Sequence, residues 1–240
     1  MTFLLWTIGL LFAVITTNAQ SAGTWCDAST PVAMCFQRYS DAASGVGWGY
    51  AFPTTPGDDF IGFWTAPVAV GWVGASLGGS MKSNLLLAAW TNDANATVSP
   101  RFTTVYAPPA VYSGPIITIL SSSGVNDTHQ RIVFHCANCT SWGASSIPQS
   151  GSTTFGYVLH GTSKPVDPAD ADTVIQKHTA SGKFTIDISA ARSDQYPLYL
   201  QYLLNPATPL PPSIPPPTIP PISSSPSPTS IPLTTVLQRV

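Results

Sequence analysis

The chain has 240 residues and a mass of 25.3 kDa, room for one ordinary domain of ~100–200 residues with extensions and too little for a large multidomain enzyme. Only 8% of the residues are charged, against ~25% in a typical soluble domain. The eleven acidic residues are all Asp, the nine Lys and Arg are scattered, and the net charge is −2 with a pI near 6.0, so there is no polycationic surface and nucleic-acid binding is disfavoured. With Glu absent, Lys scarce and Thr, Val, Ile and aromatics plentiful, the composition argues for a β-rich fold.

Met1 to Ala19 runs apolar from Phe3 to Ile15 and then turns small and polar up to Gln20. This reads as a secretory signal peptide, too short for the ~20 apolar residues of a membrane anchor. Its amino-terminal region lacks Lys and Arg, so only the terminal amine supplies positive charge. Short apolar and aromatic runs then recur between turn clusters without a sustained 3.6-residue period. They predict strands over Val46–Phe52, Asp59–Ala66, Gly71–Leu77, Leu85–Trp90, Phe102–Tyr106, Ile116–Leu120, Gln130–Cys136 and Phe155–His160. The natural packing is an all-β, antiparallel two-sheet β-sandwich. Asp167–Lys177 reads as a loop or helical turn, and Asp187–Leu204 carries a modest helical signal, suited to capping one end of the sandwich.

Twelve of the 24 prolines lie between Pro206 and Pro232, interleaved with Ser, Thr and Ile. Such a segment cannot pack a core and reads as an extended polyproline-like linker or tail. The expected organisation is therefore a signal peptide at 1–19, a β-sandwich at 20–205 and a Pro/Ser/Thr-rich tail at 206–240, with no segment that spans a bilayer.

Cys26, Cys35, Cys136 and Cys139 form two sequence-local pairs. In a secreted chain an even count favours disulfides, and pairing Cys26 with Cys35 and Cys136 with Cys139 is the simplest of three connectivities; a tetrathiolate zinc site is the competing reading. Covalent haem attachment at Cys136-Ala-Asn-Cys139 is excluded, because Thr140 stands where that motif requires His. Sequons at Asn95, Asn126 and Asn138 mark candidate glycosylation sites.

No hydrolase, metalloprotease or phosphate-cradling motif is present, and there is no Glu to act as a general acid. The adjacent carboxylates of Asp58 and Asp59 read as a solvated turn. Among the four histidines, His129, His135, His160 and His178, the last sits in a polar stretch where a surface role is the default. Met81 follows Gly78-Gly79-Ser80, a sharp turn from which a thioether can project instead of filling a core gap. A soft sulfur and an imidazole together are an axial pair that holds haem iron and raises its potential.

Five segments carry a resemblance: Gly78 to Trp90, Arg101-Phe-Thr-Thr-Val-Tyr106, Val125-Asn-Asp-Thr-His129, Phe134-His-Cys-Ala-Asn-Cys-Thr-Ser-Trp142, and His178 to Asp187. In this order, over about 23–205, the chain resembles the cytochrome domain of fungal cellobiose dehydrogenase. The resemblance implies an immunoglobulin-like or DOMON-like sandwich holding haem b non-covalently at one end, with Met81 and His178 as axial ligands. It places Trp90 against the porphyrin and Tyr106 in a hydrogen bond to a propionate. With both axial positions filled, it implies outer-sphere electron transfer. Three departures imply a wetter pocket: Phe102 where Trp follows Arg101 in the family, Thr104-Val105 before Tyr106, and Ser181 in place of an aromatic near the ligand His.

The flavin-bearing sugar-oxidising domain of cellobiose dehydrogenase has no counterpart in the sequence. The expected function is that of a secreted, monomeric electron carrier of fungal lignocellulose breakdown. A flavin dehydrogenase is the expected donor, and a copper polysaccharide monooxygenase or ferric iron the acceptor. Two rivals are a haem-free carbohydrate-binding sandwich and a truncated cellobiose dehydrogenase; the colour of the purified protein separates the first from the cytochrome.

Overall fold

The structure, a computed structural model, describes residues 20–206. The expected signal peptide and nearly all of the expected tail lie outside the described residues. In chain order the strands are β1 (Gln20–Ser21), β2 (Gly23–Asp27), β3 (Met34–Asp41), β4 (Val46–Pro53), β5 (Phe60–Pro67), β6 (Trp72–Ser76), β7 (Leu86–Asn92), β8 (Asn95–Phe102) and β9 (Ala110–Val111). They continue with β10 (Ile116–Ile119), β11 (Gly124–Val125), β12 (His129–Ala137), β13 (Ser141–Trp142), β14 (Ser145–Ser146), β15 (Ser152–His160), β16 (Ala180–Asp187) and β17 (Arg192–Ser193), and the helix α1 (Tyr196–Leu204) closes the series.

The strands build two large sheets. One has seven strands in the order β1-β16-β15-β6-β7-β8-β9; the other has eight, in the order β10-β12-β5-β4-β3-β2, with β11 on β12 and β17 on β4. Pairing is antiparallel except for β1 with β16 and β17 with β4. Alternation along each strand decides which side chains enter the core. Val73, Ala75, Leu87, Ala89, Phe155 and Phe184 from the first sheet meet Trp48, Tyr50, Phe60, Trp64, Ile132 and Phe134 from the second in one buried cluster. The rings meet edge to face, Trp64 against Phe134 at 5.2 Å and 88° and Tyr50 against Phe155 at 5.1 Å and 78°, the arrangement their quadrupoles favour. Gln130, buried between the layers, donates to the carbonyls of Pro67 and Val70 and accepts from Thr91, so the sandwich carries a satisfied polar tie.

The two-sheet sandwich expected from composition is present, and both local disulfides, Cys26–Cys35 and Cys136–Cys139, are formed. Three expectations need correction. The strand expected over Phe102–Tyr106 ends at Phe102: β8 starts at Asn95, directly after a two-residue turn in which Asp93 has φ 52°. The turn-forming Asp and Asn there conceal a strand beginning, as left-handed residues of tight hairpins do. Beyond Phe102, Thr103 Oγ1 donates to the Val105 carbonyl and folds the chain away from the sheet.

The helix occupies only Tyr196–Leu204 of the expected segment, with proline in its first turn. It does not cap an end of the sandwich: Tyr196, Tyr199 and Leu203 pack with Met34, Phe36, Ile61, Phe63 and Val133 on the outer face of the eight-stranded sheet. The third correction concerns Phe102, whose ring packs with Tyr112 at 5.3 Å against the inter-sheet core. Its substitution for Trp therefore does not bear on the outer face where the candidate site lies.

Tyr196 also anchors α1 electrostatically. Its hydroxyl donates to Asp59 Oδ2 at 2.8 Å, and the same oxygen lies 2.9 Å from His135 Nε2. Burial first, and then the Asp59 carboxylate, push the phenol far above its ordinary range, so it remains a donor. Tyr196→Phe is expected to cost about 1 kcal/mol, read as a lower urea midpoint with faster amide exchange in α1; an unchanged midpoint contradicts the anchoring role.

Candidate functional site

The outer face of the seven-stranded sheet is not bare. Trp72 of β6 and Ala88 and Trp90 of β7 form a separate buried cluster, with Val158 of β15 and Ile175 packed against it. Trp72, Gly74 and Ser76 alternate with the core residues Val73 and Ala75, so the outer side of β6 offers a narrow strip with glycine at its centre. Gly74 pairs with Ala88 on one side and Val158 on the other. A Cβ at Gly74 would lie 2.8 Å from the Leu87 carbonyl and 3.3 Å from the Trp72 ring. Only glycine admits that close approach.

A long connection, 161–179, crosses this face between β15 and β16 and is pinned to it by polar side chains of β7 and β8. Trp90 Nε1 and Thr97 Oγ1 both donate to the Pro168 carbonyl, at 2.8 and 3.0 Å. Ser99 Oγ donates to the Ala171 carbonyl at 2.6 Å, and Arg101 Nη2 donates to the carbonyls of Ala171 and Thr173 at 2.7 and 2.8 Å. Arg101 is only 6% exposed. Burial lowers its pKa, opposed by Asp172 and Asp170; the guanidinium stays charged.

His178 ends this connection. Thr179 donates its N–H to the Leu159 carbonyl at 2.8 Å, which places His178 beside the end of β15 that pairs with Trp72. The imidazole is partly buried. Burial, and secondarily Lys177, lower its pKa; both favour the neutral ring that ligates metals.

Met81 lies off the opposite end of β6, on the turn between β6 and β7. Gly79 has φ +76°, and a Cβ at Gly78 would fall 1.7 Å from Asn84 Oδ1, so the glycines are required by the turn itself. Asn84 Nδ2 donates to the carbonyls of Ser80 and Lys82, and Ser76 Oγ donates to the Ser80 carbonyl. The thioether thus stands, half-buried, on a cross-linked turn. Tyr106 is brought to the same place: Ser83 donates its N–H to the Thr103 carbonyl at 2.7 Å, and Lys82 Nζ lies 4.5 Å from the Tyr106 ring centroid.

The four expected site residues therefore group around one face. Met81 and Tyr106 (78% exposed) sit together off one end of β6, His178 off the other, and Trp90 is fully buried in the face between. Trp72, Ile175 and Arg101 complete the arrangement without having been singled out from sequence as site residues. The signal for them was the alternation Trp72-x-Gly74 and Ala88-x-Trp90, which mirrors the core alternation but points the other way. Neither large cavity lies between Met81 and His178. One of about 480 Å³ adjoins Gly78, Gly79 and Ser80, and another of about 510 Å³ lies on the other sheet.

The family model for the cytochrome domain of cellobiose dehydrogenase matches residues 25–197. The chain belongs to that family. Pyrroloquinoline quinone-dependent pyranose dehydrogenase of Coprinopsis cinerea is 44% identical over 214 residues, covering 86% of this chain and 29% of the relative, so the chain spans under a third of that protein. The crystal structure of the cytochrome b domain of pyranose dehydrogenase from Coprinopsis cinerea matches with a TM-score of 0.73 and 43% identity over 77% of this chain and 97% of the other. The cytochrome domain of Myriococcum thermophilum cellobiose dehydrogenase matches with a TM-score of 0.67 and 28% identity, covering 78% and 98%. The protein is thus a cytochrome domain with the β-sandwich of that family.

A cytochrome carries haem, and three features of the β6 face bear on whether it can hold one. Trp72 Nε1 is buried without an acceptor among the described residues, a donor that a carboxylate-bearing group would satisfy. Off the two ends of β6 lie a thioether and an imidazole whose pKa is lowered by burial and then by Lys177, residue types that form a recognised axial pair. The strip between them is apolar and narrow.

Arg101 is the element that holds the connection down. Arg101→Met keeps bulk but leaves two carbonyls without their charged donor, and is expected to cost about 3 kcal/mol. Urea denaturation reads the loss, and amide exchange should rise selectively over 166–178. Unchanged exchange there contradicts the pinning role.

Proposed function

We propose that the protein is a secreted b-type cytochrome that transfers single electrons, holding haem non-covalently with Met81 and His178 as axial ligands. The observation that carries this reading is the placement of a thioether and an imidazole off opposite ends of one strand, β6, with the Trp72–Trp90 face between them. When bound, the haem iron supplies a one-electron couple, and a Met/His pair sets its potential high. Full axial coordination suits electron transfer in preference to oxygen chemistry.

The chain's own groups do the rest. The glycine-rich turn presents Met81, and the connection pinned by Arg101 presents His178. Trp90, buried and held by its bond to Pro168, backs the face from beneath the connection, and exposed Tyr106 supplies a phenol donor for a propionate near the solvent edge. Trp72, which among the described residues of that face alone has an unmet buried donor, adds an indole N–H. Ser181, exposed on the outer side of β16 opposite Val158, leaves that flank open, which supports the expectation of a more solvated haem edge than an aromatic would give.

Among the described residues no helix is long and apolar enough to cross a membrane, and both disulfides suit an oxidising compartment. A flavin or quinone dehydrogenase as donor, and a copper polysaccharide monooxygenase or ferric iron as acceptor, extend the reading to partners. The cytochrome is expected to act as a monomer, with glycans at Asn95, Asn126 and Asn138.

Haem-loaded protein is expected to give a low-spin six-coordinate absorption spectrum. Met81→Ala and His178→Ala should each abolish that spectrum, whereas Met81→His should keep it and lower the midpoint potential, within the ~0.8 V over which axial ligands tune haem. Retention of the native spectrum in both alanine variants contradicts the ligand assignment.

A further inference from the structure

The outer face of the eight-stranded sheet is covered by α1 over one part only. Another part carries an open groove of about 510 Å³, within the ~300–1,000 Å³ of small-ligand sites. Two aromatic rings line it: Phe63, 2% exposed, and Trp25, partly exposed, with centroids 5.0 Å apart. The Arg38 guanidinium carbon lies 4.6 Å from the Trp25 centroid.

Two polar atoms in the groove wall lack partners. Arg38 Nε is buried and donates to nothing among the described residues; Asp27, 5% exposed, has an Oδ2 that accepts from nothing. The nearest cation to that oxygen is Arg131 Nη1 at 3.6 Å, too far for a hydrogen bond. One wall therefore holds an unmet donor and an unmet acceptor beside aromatic surface.

That combination selects a ligand class. A simple anion would accept from Arg38 Nε but leave Asp27 Oδ2 without a donor, and a simple cation would do the reverse. A hydroxyl both donates and accepts, and the apolar face of a sugar ring fits an aromatic surface. We propose that this groove is a binding site for a neutral saccharide. Both atoms are covered in the ligand-free groove, so the proposal requires neighbouring side chains, Arg131 with its 37% exposed side chain among them, to shift when the ligand enters.

A second feature points to the same chemistry. Asn126, in the sequon Asn126-Asp127-Thr128, lines the groove. Its Oδ1 accepts from the Thr128 N–H, the Thr128 hydroxyl and the His129 N–H, at 3.0, 3.1 and 2.8 Å. The turn is thereby fixed through the oxygen, and none of these bonds uses Nδ2, the atom that carries an N-glycan, on an exposed residue. The saccharide thus has two sources, a glycan linked to Asn126 or a free oligosaccharide. The site lies on the sheet opposite the β6 face, and its test reads the same with or without haem.

The test uses the full chain secreted from a glycosylating host, before and after endoglycosidase treatment, with cellohexaose, xylohexaose and mannohexaose as calorimetric probes. Deglycosylated protein is expected to bind at least one of them, and Trp25→Ala and Asp27→Asn should each weaken that binding at least tenfold. The second variant is near-isosteric and keeps the test open should the first fail to fold. If the Asn126 glycan is the occupant, glycosylated protein binds the probes at least tenfold more weakly and Asn126→Gln restores binding; if the source is free, glycosylation leaves binding unchanged. Absence of binding to all three probes after deglycosylation, binding that both variants retain, or tighter binding of a sulfated than of a neutral hexasaccharide overturns the proposal.

Discussion

One buried cation holds the candidate site together. Arg101 projects from the outer side of β8 and gathers two carbonyls of the 161–179 connection, while Ser99 and Thr97 from the same strand side take part in the same seam. A buried guanidinium is costly to desolvate, and its cost is offset only where oxygen acceptors surround it. Here the acceptors are the backbone of an otherwise irregular segment, so the charge on the sheet and the path of the loop specify each other. His178 follows that path directly, and its position on the β6 face is a consequence of the seam.

The same sheet serves two masters through simple alternation. Inward residues of β6, β7, β15 and β16 build the inter-sheet core, and outward residues build the site. Small inward and outward residues at Gly74, Ala75, Ala88 and Ala89 keep both faces shallow. The sandwich core provides rigidity, the outer face provides an apolar wall, and the two segments that carry Met81 and His178 enter from opposite ends of β6. A cytochrome needs this separation: donors fixed by rigid elements keep the iron's surroundings nearly constant between oxidation states, which favours fast outer-sphere transfer.

Much of this was legible in the sequence. Seven of the eight expected strands fall within a residue or two of an observed one at each end or lie inside a somewhat longer strand, because apolar runs such as Phe60–Trp64 and Val46–Phe52 are unambiguous. β3 and β16 were not expected: Gln37, Arg38 and Ser40 in one, and Ser181, Gly182 and Lys183 in the other, break the apolar run, and only tertiary pairing makes them strands. Asp93 and Asn95 hid the start of β8 behind turn chemistry. The helix was legible in kind but not in place, since nothing local says which surface an apolar nine-residue stretch will cover.

The candidates for the site, Met81, Trp90, Tyr106 and His178, were legible as rare residues in family order. Their partners were not, because the acceptors of Trp90 and Arg101 are main-chain carbonyls, which leave no mark on side-chain identity. Trp72 escaped for a related reason: a tryptophan at a strand start reads as core until the second sheet shows which side faces it. Iron K-edge X-ray absorption on the haem-loaded full chain tests the central assignment most directly. The account predicts one sulfur and one nitrogen axial scatterer beyond the four porphyrin nitrogens, with the sulfur lost in Met81→Ala; a native spectrum fitted without sulfur would contradict it.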